Sequence, residues 1–327
     1  MTVAIRGVEP SEYVAHSTHR GERVWSESNC YVDLWTELLH GNGYQPLACL
    51  PFTIGTDFEG DQWTFFKFPL ADLYQLYGID VFELNVWRPL VVHVEEQLAL
   101  GRPVIAEMDS FYLPDTSGTS YQTGHVKTSI GIQMLDREAR RSGYYHGTGY
   151  HELGGDDFDG VFRIGGRLAD PEFLPPYVEV AKLDARAPLE GDRLVAGSVA
   201  LLREHLRRRP KDNPFRRYQP RFEADLRWLE RESLPTFHGY AFATLRQAGA
   251  SFELAADGLD WLAANGEAGL AGAAADFRQV AEAAKGLQFK TARFANNRKP
   301  FDQAPFLESM ADGWDRGMRA LVDRYRP

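Results

Sequence analysis

The chain of 327 residues is poor in cysteine. It contains only Cys30 and Cys49, and they do not form a CxxC pair. Disulfide-rich secreted domains and structural zinc sites both need more cysteines at closer spacing, so neither class is expected. The sequence therefore predicts no bound metal and a reducing, cytoplasmic environment.

Long apolar runs and a surplus of basic residues are also missing. The segment from Met1 to Trp25 has no apolar signal-peptide core, and nothing reaches the roughly 18 apolar residues of a membrane span. Asp and Glu (46) outnumber Lys and Arg (36), which gives a formal net charge of −10. Nucleic-acid binding needs clustered basic side chains, so we expect neither a nucleic-acid nor a membrane partner.

The first half of the chain has the sequence pattern of an α+β domain. Short helices are predicted before a run of strands, which would form an antiparallel sheet. The helix candidates are residues 31–40, 70–77 and 89–100. The strand candidates are residues 62–67, 81–85, 104–108, 126–134 and 143–151.

The second half has a different pattern. Pro171, Pro175, Pro176 and Pro188 indicate a linker, and beyond it apolar residues recur three and four positions apart. This predicts an α+β domain at residues 1–170 and an all-helical domain at residues 171–327. A helical domain of this size could also provide the contact surface of a homodimer.

Cys30 is predicted to begin a helix. Tyr31, Leu34 and Leu38 share one helical face, and Gly41 ends the pattern. A thiol at the first helical turn lies near unpaired backbone N–H groups and the positive end of the helix dipole, which favour the thiolate. This placement is typical of papain-like nucleophiles. The alternative is a small buried apolar residue.

A histidine that could serve as the base follows in strand context. Residues 106–130 predict a strand, a loop and a second strand that opens at His125. A cysteine at a helix start, followed by a histidine at a strand start, is the order of a papain-like site. Asp109, on the preceding strand, is the candidate that holds His125; its alternative role is to cap the loop that follows.

An oxyanion hole would use the backbone N–H of Cys30 as its first donor. Asn29, Ser26 or Ser28 could supply the second. Papain-like peptidases usually carry a Gln six residues before the cysteine, where this chain has Val24. The departure disfavours an efficient peptidase.

Other polar residues are candidates for supporting roles. His146 could orient His125, and Asp136 lies in the turn beyond the His125 strand. A metal site made by His146 and His151 is disfavoured, because their spacing on one strand would place them on opposite faces. The predicted substrate cleft is lined by Trp63, Phe65, Lys67, Glu107 and Tyr112.

The order of these motifs resembles a known family. The residues that carry the resemblance are, in chain order, Cys30, Gly101-Arg102-Pro103-Val104-Ile105, Asp109-x-x-Tyr112-Leu113-Pro114 and His125. Their order is similar to that in the amino-terminal domain of butirosin biosynthesis protein H, over roughly residues 20 to 150. The resemblance implies a cysteine-peptidase-like fold. It also implies transfer of an aminoacyl group from the phosphopantetheine of a carrier protein to a small amine, with no bound cofactor.

Nearly the whole chain also resembles a bacterial family, domain of unknown function 1839. Some members of that family are encoded beside amino-acid:carrier-protein ligases and carrier proteins. Two alternatives to transfer remain open, namely a cysteine hydrolase (amidase or thioesterase) and a non-catalytic binding module. The residues that carry this second match include Trp63-Thr64-Phe65-Phe66-Lys67, Tyr145-His146-Gly147 and Gln288-Phe289-Lys290-Thr291-Ala292-Arg293.

Overall fold

The computed structural model describes residues 1–4, 8–165 and 174–326. These residues form two compact units. The first unit comprises Met1–His19, Cys30–Pro46 and Leu70–Pro188, and the second comprises Arg20–Asn29, Leu47–Pro69 and Leu189–Pro327. The boundary predicted between residues 170 and 171 lies outside the described residues.

The first unit is built on an antiparallel sheet. Within the described residues the strand order is β2-β7-β3-β4-β5-β6, with β1 pairing to β4. The strands are β1 (Thr2–Val3), β2 (Asp80–Glu83), β3 (Val104–Asp109), β4 (Lys127–Asp136), β5 (Arg141–His146), β6 (Gly149–Gly154) and β7 (Val178–Lys182). The prediction of an α+β amino-terminal part with an antiparallel sheet is confirmed.

Helices cover the two faces of this sheet. They are α1 (Cys30–Gly41), α2 (Leu70–Tyr77), α3 (Leu90–Ala99) and α4 (Asp156–Phe162). Apolar residues of α3 and α4 share one buried core with Val104 and Ala106 of β3. Helix α1 packs instead against Gly131 of β4, where a side chain would meet Leu34 and Leu38 at 3.3–3.4 Å. The small residue at this position lets α1 approach the sheet closely.

Some local predictions were wrong. The strand predicted at 62–67 is reduced to a single bridge between Phe58 and Trp63, because the Trp63 backbone N–H donates to the Ala243 carbonyl at 3.0 Å instead of to a neighbouring strand. The strand predicted at 143–151 is a hairpin, since Gly147 has a positive φ that turns the chain between β5 and β6. Residues 156–162, for which the sequence predicted no helix, form α4.

The second unit is dominated by helices. They are α5 (Gly191–Arg208), α6 (Pro214–Leu229), α7 (Leu234–Ala241), α8 (Gln247–Ala264), α9 (Ala271–Asn297) and α10 (Ala304–Tyr325). The all-helical character predicted for the carboxy-terminal region is confirmed. None of the described helices combines the length and apolar character that crossing a membrane would require.

Two segments from the first half of the sequence belong to this helical unit. Trp25 is buried, and its indole N–H donates to the Ala281 carbonyl at 3.1 Å. Glu253 accepts the backbone N–H groups of Val24 and Trp25 at 3.1 and 2.8 Å. Trp25 and its neighbours are thus held by residues that follow more than two hundred positions later.

A buried charge cluster ties the amino-terminal segment to α1. Glu37 accepts hydrogen bonds from the Tyr13 hydroxyl, the His16 backbone N–H and the His19 ring. The other ring nitrogen of His19 donates to Asp33 at 3.2 Å. Burial alone would lower the pKa of His19, but the hydrogen bonds to Asp33 and Glu37 outweigh it and raise the pKa to about 9. His19 is therefore a buried cation at neutral pH.

We expect replacement of His19 by Gln to destabilise the protein by about 3–5 kcal/mol near pH 6.5, because Asp33 and Glu37 would lose the cation that they share. The folded-state pKa lies above the unfolded value of about 6.5, so this contribution is complete below that pH and is lost as pH rises through about 9.

Denaturant unfolding at a series of pH values measures this effect. The difference between wild type and His19→Gln should shrink towards alkaline pH, whereas the exposed His238→Gln control should change little at any pH. A difference that is constant with pH would contradict the assignment of a buried imidazolium.

Candidate active site

Cys30 is the first residue of α1, as the sequence predicts. Its side chain is partly exposed, whereas that of Cys49 is 0% exposed. The first turn of α1 carries backbone N–H groups without helical partners, which can stabilise a thiolate or an oxyanion. Cys30 therefore has the local setting of a nucleophile, and Cys49 has that of a core residue.

Asp109 and His125 are brought together. Asp109 ends β3, and its pairing partner Lys127 opens β4, two residues after His125. The His125 Nδ1–Asp109 Oδ2 distance is 2.6 Å, and the imidazole stacks on Phe111 with ring centroids 4.5 Å apart. Asp109 Oδ1 also accepts the Phe111 backbone N–H at 3.0 Å. Both roles considered for Asp109, holding His125 and capping the loop, are thus present together.

A cavity of about 670 Å³ lies beside this pair. The cleft candidates Glu107 and Tyr112 line it together with Asp109 and His125, and Lys127 Nζ is 2.7 Å from Glu107 Oε1. Met108 and Val126 also line it, and the rest of the wall comes from the end of α4 and from the segment before β7, namely Gly160, Val161, Arg163, Leu174, Pro175, Pro176 and Tyr177. The His125 side chain is 69% exposed, so its ring is accessible from solvent.

The alternation of side chains along β4 shows which face of the sheet carries Asp109. Gly131 faces α1, and side chains four positions apart on a strand point to the same face, so Lys127 does as well. Asp109 is paired with Lys127 and shares that face. Asp109 and α1 therefore lie on the same face of the sheet.

The Cys30 sulfur itself makes no hydrogen bond to His125 within the described residues. The close approach of sulfur to imidazole that a papain-like site requires stays a prediction.

Glu179 connects the start of α1 to the cavity, and sequence analysis missed it. This β7 carboxylate is 4% exposed and accepts the Tyr31 hydroxyl at 2.8 Å and the Tyr177 hydroxyl at 2.9 Å. Tyr31 follows Cys30 directly, and Tyr177 lines the cavity. Burial of Tyr177 and, to a smaller extent, its hydrogen bond to Glu179 raise the pKa of Tyr177 to about 12. The alternation Tyr177-Val178-Glu179-Val180 was a strand signal hidden in the predicted linker.

His146 has partners other than His125. Its Nδ1 bonds to Asp115, and its Nε2 lies 2.8 Å from the Thr128 hydroxyl. The Tyr144 hydroxyl donates to the second Asp115 oxygen. Burial alone would raise the pKa of Asp115, but His146 holds it below its usual range. His146 thus anchors the loop between β3 and β4, and both of its ring nitrogens are engaged there.

The other residues considered for supporting roles, Asn29, Ser28 and Asp136, have contacts of their own. The Asn29 side-chain amide donates to the Phe66 carbonyl at 3.0 Å and to Gln247 at 3.3 Å, all within the second unit. Ser28, also in that unit, accepts a hydrogen bond from Arg246 through its carbonyl at 2.7 Å. Asp136 is at the opposite end of β4, about 30 Å along the strand from its first residue, and caps Ala139.

Three of the predicted cleft residues belong to the second unit. Trp63 is buried against Phe215 and Tyr218 and is part of that unit's core. Phe65 is partly exposed, and Lys67 Nζ lies 6.0 Å from its ring centroid.

The histidines and acids considered for a metal site do not converge. His151 Nε2 donates to the His146 carbonyl at 3.2 Å, while Asp156 and Asp159 pair with Arg140. In the part of the chain that the structure describes, no group of three or more His, Cys, Asp or Glu is arranged to hold a metal ion.

Comparison with protein families covers most of the chain. A model described as the DUF1839 N-terminal domain matches residues 14–183, and one described as the DUF1839 C-terminal domain matches residues 191–323. No curated protein matches the chain.

Cys30 is expected to be the more reactive thiol, because it is partly exposed at a helix start while Cys49 is fully buried. Limiting iodoacetamide followed by peptide mapping should modify Cys30 first. Cys30→Ser should remove most of the labelling, and Cys49→Ser, the matched control, should leave it in place. Preferential labelling of Cys49 in the folded protein would contradict the site.

Proposed function

The chain belongs to the DUF1839 family, and we propose that it is an acyltransferase with a cysteine-peptidase-like first unit. In this proposal it moves an aminoacyl group from the phosphopantetheine thioester of a carrier protein to a small amine. The observation that carries the proposal is the hydrogen bond between Asp109 and His125 at the edge of a cavity.

The Asp109 carboxylate prepares His125 to exchange protons. A carboxylate bonded to Nδ1 fixes the tautomer that leaves Nε2 free to accept a proton, and it stabilises the imidazolium that then forms. Stacking on Phe111 restricts rotation of the ring. His125 thus has the support that a general base in acyl transfer needs.

In the first proposed step, His125 Nε2 takes the proton of the Cys30 thiol. The thiolate attacks the carbonyl carbon of the aminoacyl thioester, and the backbone N–H of Cys30 at the start of α1 can stabilise the oxyanion. The carbon–sulfur bond to phosphopantetheine breaks, and its sulfur takes the proton from His125. Cys30 then carries the aminoacyl group as a thioester.

In the second step the acceptor amine attacks the same carbonyl carbon. His125 takes a proton from the amine nitrogen and returns it to the Cys30 sulfur as the carbon–sulfur bond breaks. An amide is formed and the free thiol is regenerated, without any change of oxidation state. The thioester is already activated, so positioning and oxyanion stabilisation are the remaining requirements.

Two features support transfer over hydrolysis. Val24 stands where papain-like peptidases place a glutamine, and the Asp109 to His125 region resembles the butirosin-type aminoacyltransferases. The alternative, a thioesterase or amidase, would share the first step and deliver water in the second. Transfer requires a cavity in which an amine outcompetes water, and Tyr112, Val161 and Pro176 give this one partly apolar walls.

We expect the protein to gain the mass of one aminoacyl group when it is incubated with an aminoacyl-loaded carrier protein. Intact-protein mass spectrometry measures the adduct, which should be absent in Cys30→Ala and present in Cys49→Ala. Added amines should then release an amide. If free amino acid is the only product for every amine, and Cys30→Ala abolishes its release, the hydrolase alternative is correct.

Replacement of Asp109 by Asn should lower the acyl-transfer rate by about 10²- to 10⁴-fold, because the amide no longer stabilises the imidazolium and favours the wrong tautomer. Asp136→Asn, at the opposite end of β4, is the matched control and should retain the wild-type rate. Single-turnover measurements with loaded carrier protein compare the two. Equal rates in both variants would remove Asp109 from the proposed mechanism.

A further inference from the structure

One stripe of α6 in the helical unit carries an unusual combination of side chains. Arg221, Ala224, Asp225 and Trp228 are spaced three and four residues apart, so they lie on one side of the helix. Trp228 is 47% exposed although it is a large aromatic residue. The small Ala224 leaves space between the charged residues and the indole ring.

Asp225 is buried, and one of its two carboxylate oxygens accepts no hydrogen bond from the described residues. The residue is 7% exposed, and its Oδ1 accepts a hydrogen bond from Arg221 Nε at 2.7 Å. Its Oδ2 is inaccessible to solvent and has no partner among the described residues. A buried carboxylate oxygen without a donor costs free energy, so its retention needs an explanation.

These residues line an open cavity of about 480 Å³ on the surface of the helical unit. Tyr240 of α7 forms another part of the wall, with its hydroxyl 2.9 Å from that of Tyr218, and Asp61 completes the lining. Two carboxylates, Asp61 and Asp225, face one guanidinium, that of Arg221. The cavity therefore has a net negative charge.

We propose that this cavity binds a small organic cation, an alkylammonium group. The ammonium would donate to the unused oxygen of Asp225, and a modest rotation of the carboxylate would bring that oxygen to the cavity. The face of Trp228 would contribute a cation–π contact, and Ala224 and Tyr240 would accommodate the alkyl chain. Asp61 would balance the remaining charge. None of the residues that line this cavity takes part in the acyltransferase proposal, so the two proposals are independent.

Isothermal titration calorimetry of the full chain with butylammonium chloride tests the site. We expect saturable binding, with 1-butanol at least about tenfold weaker because it lacks the charge that Asp225 and Asp61 recognise. Asp225→Asn should weaken butylammonium binding about tenfold or more, and Trp228→Leu about fivefold. Glu223→Gln, on the same helix but outside the cavity lining, is the charge-matched control and should leave the affinity unchanged.

Several outcomes would overturn the proposal. These are the absence of butylammonium binding at millimolar concentration, equal binding of 1-butanol, and preferential binding of butyrate, which would indicate an anion site at Arg221. If Asp225→Asn unfolds by circular dichroism, Trp228→Leu decides, because its exposed side chain is not needed for the core. An unchanged affinity in folded Trp228→Leu would remove the aromatic contact on which cation recognition depends.

Discussion

The contact between α1 and β4 at Gly131 determines where the candidate chemistry lies. The Leu34 and Leu38 methyl groups would lie only 3.3–3.4 Å from a side chain at residue 131, so the helix packs closely against the sheet. A bulky residue there would crowd these methyl groups, so we expect it to disturb the packing of α1, which begins at Cys30. The same face of the sheet carries Asp109, and Tyr31 connects the first turn of α1 to buried Glu179. Packing of one helix therefore sets the geometry that any reaction in this unit would use.

Among the described residues of the first unit, three histidines are paired with carboxylates, and they differ in burial. His19 is enclosed between Asp33 and Glu37 and is a structural cation. His146 is held by Asp115 and Thr128 and anchors a loop. Of these three histidines, only His125 combines a carboxylate partner with an exposed ring at a cavity. The side-chain chemistry is the same in each case, so accessibility distinguishes the candidate base from the two structural histidines.

Sequence reasoning succeeded where the signal was local. The start of α1 at Cys30 followed from helical periodicity, and the Asp109–His125 pair followed from a strand-loop-strand pattern in which both residues flank one loop. It failed where partners are distant along the chain. The sequence around Trp63 has the alternation that is typical of a strand. Trp63 is instead buried by Phe215 and Tyr218 of α6, a helix that no local sequence pattern connects to it. Glu179 was hidden because the prolines before it suggested a linker rather than the approach to β7.

The division of the chain into units has a consequence for its synthesis. Residues 20–29 and 47–69 belong to the helical unit, although they leave the ribosome long before its helices do. Trp25 meets its hydrogen-bond acceptor, the Ala281 carbonyl, only after most of the chain has been translated. At typical rates of about 5–20 residues per second, that interval is on the order of ten seconds or more. During this time Trp25 and Trp63 lack the partners that bury them in the folded chain, because Ala281, Phe215 and Tyr218 have not yet all been synthesised.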